Sequence, residues 1–281
     1  MLKKFKEKYL PVAMGKYINF LSFISPKTGG NKAMQIFCTP RSGRLRPKDE
    51  EVLSSFTREQ LEYDGLSIQC YVHGTGKRTV MLLHGWESNA ARWKRLFDIL
   101  LKDESLRIVA IDAPAHGLSG GKMFNSPLYA RFIQTACTHY RPQALIGHSI
   151  GAASIVYALT HYEMHLPEKL VLMGSPSDFT DIAKVYADIL KLSNRSEKAM
   201  LDRFREVFNM EPEYYSIGNF VKQLEVPGMV VHDTEDLVSP FSNGEKIAGN
   251  WKGAVLVPVT GSGHSLNHRE TLQQVAHFVR E

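Results

Sequence analysis

Two serines lie at the centre of a G-x-S-x-G pattern, in which a serine hydroxyl can act as a nucleophile. They are Ser119, in the run GLSGG, and Ser149, in the run GHSIG. Only Ser149 follows an apolar, strand-like run (144–148) and opens a helix-like run (150–162). A sharp strand-to-helix turn would expose its hydroxyl, and the flanking glycines remove side chains that would clash in so tight a bend. The sequence therefore predicts Ser149 as a nucleophile rather than a helix cap.

A serine hydroxyl is a weak nucleophile near neutral pH, so this chemistry needs a base, and a second residue must orient that base. Among the 11 histidines, His264 lies in TGSGHSL, after the last strand-like run and before the last helix-like run. Such a position falls at the carboxyl edge of a parallel sheet, where open α/β proteins bind ligands. Other histidines, such as His139 and His161, fall on or beside predicted helices. We predict His264 as the base.

Candidate acids for orienting the histidine follow two of the strand-like runs. The segment HDTEDLVSP offers Asp233, Glu235 and Asp236, and Asp178 follows the preceding strand-like run. The chain order serine, acid, histidine is the one expected when the serine occupies such a turn. Spacing alone does not choose among three acids within four residues, so all of these acids remain candidates at this point.

The elements that must position these residues are short apolar strands alternating with amphipathic helices from residue 79 onward, which predicts an α/β protein. Its predicted parallel strands are TVMLLH (79–84), LRIVAID (106–112), ALIGH (144–148), KLVLMG (169–174), PGMVVHD (227–233) and AVLVPV (254–259). Runs with mixed alternation predict antiparallel edge strands around QIFCTP (35–40), QLEYDG (60–65) and LSIQCYVHG (66–74). About fifty residues separate the fourth and fifth parallel strands, and their helical periodicity predicts a subdomain there.

Composition excludes several classes of protein. Hydrophobic residues at 43% and charged residues at 22% are typical of a soluble globular protein. No apolar run reaches the roughly 20 residues that a membrane-spanning helix needs. The 3 cysteines are widely spaced and odd in number, which favours neither a disulfide framework nor a zinc site. We expect a cytoplasmic protein without a metal, an organic cofactor or a nucleic-acid partner.

The N-terminal segment differs in charge from the rest of the chain. Residues 1–48 contain eleven Lys and Arg against a single acid, Glu7, although the whole chain carries only +5. Helical spacing of apolar residues follows at Ala13, Tyr17, Phe20, Leu21 and Ile24, with Pro11 expected in a first helical turn. Such a helix can rest on an anionic membrane surface. Packing of the helix on the catalytic body is the favoured prediction, because amphipathic helices usually cover their own domain.

Five motifs in this order resemble the α/β-hydrolase superfamily, in its lidded serine esterase and lipase-like branch. They are LLHGW, IDAPAHGLSGG, IGHSIGA, HDTEDLVSP and GSGH, and the resemblance covers residues 60–281 apart from the insertion. It implies a mostly parallel central sheet flanked by helices, with a helical cap inserted into it. The predicted domains are a basic N-terminal extension (1–50), a hydrolase core (51–175 and 222–281) and the cap (176–221).

The resemblance also implies roles for individual residues. It implies Asp236 as the acid, because His232, Asp236 and Val238 fit the spacing of the family, although Asp233 keeps some claim. His84 and Gly85 are expected to shape an oxyanion loop in which the backbone amides of Trp86 and Ile150 are the donors. Gly85 and His148 are expected to contact substrate, and His116 and Ser119 to have structural roles in the loop after the second parallel strand.

The sequence thus predicts a serine hydrolase that cleaves a carboxylic ester through an acyl-enzyme, with a small-molecule acyl ester as its partner. Thioester, lactone or carbon–carbon bond hydrolysis would use the same residues. Aspartate-nucleophile dehalogenases and epoxide hydrolases are disfavoured because position 149 is serine. Two further alternatives are a catalytically silent binding protein with this fold and a membrane-associated lipase that is anchored by the basic N-terminal segment.

Overall fold

A computed structural model describes residues 2–281, with side chains from Tyr9 onward, and divides the chain into two compact units. The sheet unit comprises Pro40–Ser177 and Ile217–Glu281. The helical unit comprises the described residues of Met1–Thr39 together with Asp178–Ser216. Most of the predicted N-terminal extension (1–50) and most of the predicted insertion (176–221) therefore share one unit, while residues 40–50 belong to the sheet unit. Whether that unit caps the catalytic site stays a prediction.

The sheet unit is built on a mostly parallel sheet, as predicted. Among the described residues it has eight strands in the order β1-β2-β4-β3-β5-β6-β7-β8. Strand β2 pairs antiparallel with both β1 and β4, and every other pair is parallel. The strands are β1 Thr57–Tyr63, β2 Leu66–His73, β3 Arg78–Leu83, β4 Leu106–Ile111, β5 Ala144–His148, β6 Lys169–Met173, β7 Gly228–Asp233 and β8 Ala254–Val259.

The helices of the described chain alternate with the parallel strands from β3 onward. The helices of the described chain, including the three that precede the sheet, are α1 Leu2–Ile24, α2 Pro26–Phe37, α3 Pro47–Val52, α4 Lys94–Leu100, α5 Ser126–Tyr140, α6 Ile150–His161, α7 Phe179–Leu190, α8 Asn194–Phe208, α9 Ile217–Phe220, α10 Phe241–Asn250 and α11 Arg269–Arg280. All five residues of β5 are buried, as are all six of β7. Strands buried on both faces are typical of parallel sheets covered by helices. The burial places the central strand ends, and the loops that follow them, on a rigid base.

One edge strand predicted from the sequence is wrong. The run QIFCTP (35–40) lies at the end of α2 and in the loop after it, whereas the other two predicted edge strands are β1 and β2. The helix is set from its beginning: the Ser25 side chain accepts a hydrogen bond from the Thr28 N–H, and Pro26 occupies the first helical position. A short apolar run at a helix end has no periodicity that distinguishes it from a strand.

The helical unit buries its own aromatic and small residues. Phe179 stacks on Phe204 with ring centroids 4.1 Å apart, and Phe37 meets Tyr186 edge-on at 4.9 Å. Helix α1 packs on α2, α7 and α8. It begins at Leu2, so Pro11 lies inside it and not in a first turn as predicted. Proline removes one backbone donor from a helix, and the tertiary packing of α1 outweighs that loss.

Over residues 2–281, no helix of the structure is both long enough and apolar enough to span a membrane.

Candidate active site

Ser149 occupies the single residue between β5 and α6, and its backbone is strained. Its φ is 54° and its ψ is −127°, a conformation that costs free energy for any residue with a Cβ atom. The Ser149 N–H donates to the Met173 carbonyl at 2.8 Å, which holds the turn against the neighbouring strand. The side chain is half-buried. The structure therefore contains the strand, the turn and the helix that the sequence predicts around Ser149.

The two glycines beside Ser149 allow this turn through close backbone approaches. A Cβ at Gly147 would lie 2.5 Å from the Cα of Ala152. A Cβ at Gly151 would overlap the carbonyl oxygen of His84 and would lie 2.5 Å from that of Leu83. Since these neighbours are backbone atoms, they have little freedom to move aside. The turn therefore requires glycine at both positions.

We expect Gly151→Ala to lower the free energy of unfolding by about 1–3 kcal/mol, because the added methyl group would overpack the backbone of the strand end. Gly249 in α10 provides a matched control, since nothing lies within 4 Å of a Cβ built there. Gly249→Ala should raise the free energy of unfolding by about 0.5–1 kcal/mol. Urea denaturation of both variants measures the two shifts. Shifts of the same sign would contradict the proposed steric role of Gly151.

The structure brings Ser149, His264 and Asp236 together in a hydrogen-bonded chain. Nε2 of His264 lies 3.1 Å from the Ser149 hydroxyl oxygen, and Nδ1 lies 2.7 Å from Oδ2 of Asp236. A carboxylate only accepts hydrogen bonds, so Nδ1 carries the ring proton and Nε2 is the acceptor that faces the serine hydroxyl. The His264 side chain is 20% exposed and that of Asp236 is fully buried. The arrangement can move the serine proton onto the imidazole.

Asp236 is held in its ionised form by hydrogen bonds. Its Oδ1 accepts from the N–H groups of Val238 at 2.8 Å and of Ser239 at 3.0 Å. Burial alone would raise the pKa of Asp236, but the hydrogen bond from His264 and these two backbone donors bring its pKa below the ordinary value. The carboxylate is therefore charged near neutral pH, and it is already oriented toward the imidazole.

The other candidate acids occupy different places. Asp233 is buried at the end of β7, where its Oδ2 accepts from Ser262 N–H at 2.6 Å and from Gly263 N–H at 2.8 Å. It thereby fixes the short turn Gly263–Ser265 that carries His264. Glu235 is exposed, and Asp178 precedes α7 in the helical unit. Of the three acids in the β7 loop, Asp236 is the one that contacts His264.

His148 has a contact that sequence reasoning missed. Its Nε2 lies 2.7 Å from the carbonyl oxygen of His264, and the two rings have centroids 4.9 Å apart. Burial, the largest cause, lowers the pKa of His148 well below its ordinary value, so the ring is neutral and Nε2–H donates to that carbonyl. His148 thus positions the His264 backbone. Its predicted contact with substrate stays a prediction.

Two arginines hold the segment after His264. Nη2 of Arg92 donates to the Ser265 carbonyl at 3.1 Å, and Nη1 of Arg95 donates to the Asn267 carbonyl at 2.8 Å. Both lie on α4 or directly before it, far from His264 in sequence. No motif marks them, so these contacts could not be found from spacing.

The loop after β3 approaches Ser149 through its backbone. A Cβ at Gly85 would lie 3.0 Å from the Cβ of Ser149, so a side chain at position 85 would crowd the nucleophile. His84 is buried and fixes this loop: its Nδ1 lies 2.7 Å from the Gly85 carbonyl, and its Nε2 accepts from Ala113 N–H at 2.9 Å. Burial lowers the pKa of His84 well below its ordinary value, which keeps the ring neutral with its proton on Nδ1.

The two predicted oxyanion donors follow Gly85 and Ser149 directly in the sequence. Trp86 directly follows Gly85, and Ile150 is the first residue of α6. The N–H groups in the first turn of a helix have no intrahelical acceptor, and the helix dipole favours negative charge there. The start of α6 thus offers the Ile150 N–H as a donor, and the catalytic use of both amides stays a prediction.

Ser119, the second serine of the repeated pattern, has structural contacts. Its hydroxyl donates to the Asp112 carbonyl at 2.7 Å and accepts from Gln69 N–H at 2.9 Å. His116 in the same loop accepts at Nε2 from Glu87 N–H at 3.0 Å.

Within residues 2–281, no group of three or more His, Cys, Asp and Glu side chains is placed to hold a metal ion.

The mostly parallel sheet flanked by helices is that of an α/β hydrolase. The sequence model of the Alpha/beta hydrolase family matches residues 80–220, which is half of the chain. The protein belongs to the α/β hydrolase family.

Two curated relatives and one solved structure illustrate the similarity. The chain is 31% identical to a Serine hydrolase-like protein of Danio rerio, over 37% of this chain and 34% of that protein. It is 24% identical to Karrikin insensitive 2 receptor IA of Petunia hybrida, over 69% of this chain and 86% of the receptor. The esterase EaEST from Exiguobacterium antarcticum superposes with a TM-score of 0.60 at 18% identity, covering 81% of this chain and 99% of the esterase. The chain thus spans about a third of the Danio rerio protein.

Proposed function

We propose that this protein is a carboxylesterase-like serine hydrolase in which Ser149, His264 and Asp236 act as a catalytic triad. The observation that carries the proposal is the continuous hydrogen-bonded chain from the serine hydroxyl through His264 to Asp236, with distances of 3.1 and 2.7 Å. In such a triad, the imidazole is held with one nitrogen free to accept the nucleophile's proton. The similarity to a protein described as serine hydrolase-like supports the same class of chemistry.

The proposed reaction has two halves. Ser149 Oγ attacks the acyl carbonyl while its proton passes to Nε2 of His264, and the resulting imidazolium is stabilised by the Asp236 carboxylate. Collapse of the tetrahedral intermediate breaks the bond to the alcohol oxygen, which receives the proton from Nε2. Water then attacks the acyl-enzyme, gives its proton to His264, and releases the carboxylic acid as Ser149 recovers its proton.

The negative charge on the carbonyl oxygen needs donors that are already in place. We propose the backbone N–H groups of Trp86 and Ile150, on the loop fixed by His84 and at the start of α6. Donors of this kind contribute about 3–4 kcal/mol each to transition-state stabilisation. Gly85 allows the acyl group close to Ser149 because it has no side chain.

Turnover of activated esters tests the proposal. We expect the protein to hydrolyse p-nitrophenyl esters across a series of acyl lengths, and a fluorophosphonate probe to label Ser149 in competition with those esters. Peptide mass spectrometry should locate the label on the tryptic peptide that contains Ser149. A matched thioester and a lactone measured beside the preferred ester would identify the bond. Absence of both labelling and turnover in folded protein would overturn the hydrolase proposal.

A binding function without turnover is the second candidate, and the similarity to a protein named as a receptor favours it. A binding protein of this kind would be stabilised thermally by a ligand that it does not cleave. It would also lack the reactive Ser149 that the probe detects.

We propose a cytoplasmic location, because Cys38, Cys70 and Cys137 are free and buried, as is usual for cysteines in reducing compartments.

A further inference from the structure

Helix α1 exposes an apolar face to solvent. Phe20 is 60% exposed, Phe23 75% and Ile24 66%. Together with the residues that share this side of the helix, they form what we call the outer face. It consists of Tyr9, Leu10, Ala13, Tyr17, Phe20, Phe23 and Ile24, all of them exposed. The stripe that the sequence predicts to pack on the protein, including Tyr17, Phe20 and Ile24, therefore points outward.

The opposite face of α1 is the one that packs, and on it the apolar Ile18 is flanked by small and polar residues. Gly15, Ile18 and Ser22 are buried, and a Cβ at Gly15 would overlap the Leu190 carbonyl. The Asn19 side chain donates to the Lys191 carbonyl at 3.0 Å and accepts from a backbone N–H of the same loop. Rotation of α1 to bury the outer face would break these contacts. The packing of α1 within the helical unit thus keeps these apolar side chains exposed.

An ordinary surface helix turns its apolar stripe inward, whereas α1 leaves the apolar side chains of the outer face exposed. Exposed contiguous apolar surface marks a site of interaction with another protein or with a membrane. The occupant of the outer face must also suit its charge. Residues 2–24 contain five lysines and one acid, and residues 8–48 contain no acid at all. Lys16 is exposed beside the outer face.

We propose that the outer face of α1 binds an anionic lipid bilayer, with the helix lying in the plane of the interface. A basic helix with an apolar face lies at the boundary of headgroups and acyl chains, and Tyr9 and Tyr17 supply the aromatic rings that favour this depth. Lysines near an anionic surface add electrostatic attraction to this apolar contact. A second copy of the chain fits less well, because it would bring two basic segments together without compensating acids.

Vesicle co-sedimentation of the full-length protein tests this directly. The vesicles are phosphatidylcholine alone and phosphatidylcholine mixed with phosphatidylglycerol, each at low and at high salt. We expect binding to the mixed vesicles to be at least about tenfold stronger than to neutral ones, and to weaken with salt. Equal binding to both vesicle types, or no binding to either, would overturn the proposal. Vesicle binding does not depend on Ser149, so the result of this test is independent of the hydrolase proposal.

A matched pair of variants tests which surface binds. Phe20→Ser/Phe23→Ser removes two exposed apolar side chains from the outer face. Leu166→Ser/Val207→Ser removes two exposed apolar side chains elsewhere, at 57% and 48% exposure. We expect the first variant to lose vesicle affinity by about tenfold or more, and the control to bind as the unchanged protein does. Circular dichroism should show both folded. Equal loss in the two variants would overturn the proposal, as would a dimer in light scattering that only the first variant dissociates.

Discussion

Ser149→Ala is expected to lower kcat/KM for esters by a factor on the order of 10⁴ to 10⁶ while the protein stays folded. The variant loses the atom that would form the acyl-enzyme, and the remaining imidazole has nothing to activate except water. Its structural cost is small, because the Ser149 hydroxyl has one side-chain partner, His264, and sits half-buried. Loss of one such hydrogen bond costs about 1 kcal/mol. Alanine also meets the positive φ no worse than serine does, since both carry a Cβ.

Ser119→Ala is the matched control, because Ser119 centres the same five-residue pattern. Its hydroxyl is buried between the Asp112 carbonyl and the Gln69 N–H. Removing it leaves a buried donor and a buried acceptor without their partner, which costs about 1–3 kcal/mol. We therefore expect this variant to unfold at lower urea concentration but to turn over esters normally per folded molecule.

Steady-state kinetics and urea denaturation of both alanine variants check this pair of expectations. The two variants should separate completely, with activity lost in one and stability lost in the other. Substantial ester turnover by Ser149→Ala, or loss of activity in folded Ser119→Ala, would show that Ser149 is not the nucleophile. Fluorophosphonate labelling, which should persist in Ser119→Ala alone, gives a readout that is independent of turnover.

The sequence allowed the parallel strands and the position of Ser149 to be predicted because both depend on local patterns. Buried strands are visible in the sequence as continuous aliphatic runs, and β5 leads directly into α6 at the serine. The choice of acid could not be made from the residues themselves. Asp233, Glu235 and Asp236 share one loop, and only the hydrogen bonds of the folded loop distinguish them.

Features that depend on contacts between distant segments were missed. The contact of His148 with the His264 carbonyl joins residues 116 positions apart, and no local pattern encodes it. The same limit explains α1, whose periodicity shows an apolar stripe but not which side packs. Gly15, Ile18 and Ser22 form the buried side. The small residues Gly15 and Ser22 permit close helix contacts there, a criterion that hydrophobic periodicity ignores.

Asp236→Asn is expected to lower kcat by about 10⁴-fold, or about 5.5 kcal/mol. The physical reason lies in the two oxygens of Asp236. One accepts from the N–H groups of Val238 and Ser239, and the other accepts from Nδ1 of His264. An amide has a single oxygen, and the two backbone donors favour that oxygen on their side. The amide NH₂ then donates to Nδ1 of His264 and leaves the ring proton on Nε2, where it blocks transfer from the serine.

The neighbouring acids make this a test of assignment as well as of mechanism. Glu235→Gln should leave kcat unchanged, because Glu235 is exposed. Asp233→Asn should lower the free energy of unfolding by about 1–3 kcal/mol, since its carboxylate holds the backbone N–H groups of Ser262 and Gly263. We expect only about a tenfold loss of kcat from this variant, because the imidazole would be displaced but would keep its tautomer. If Asp233→Asn instead lost as much activity as Asp236→Asn without losing stability, Asp233 would be the triad acid.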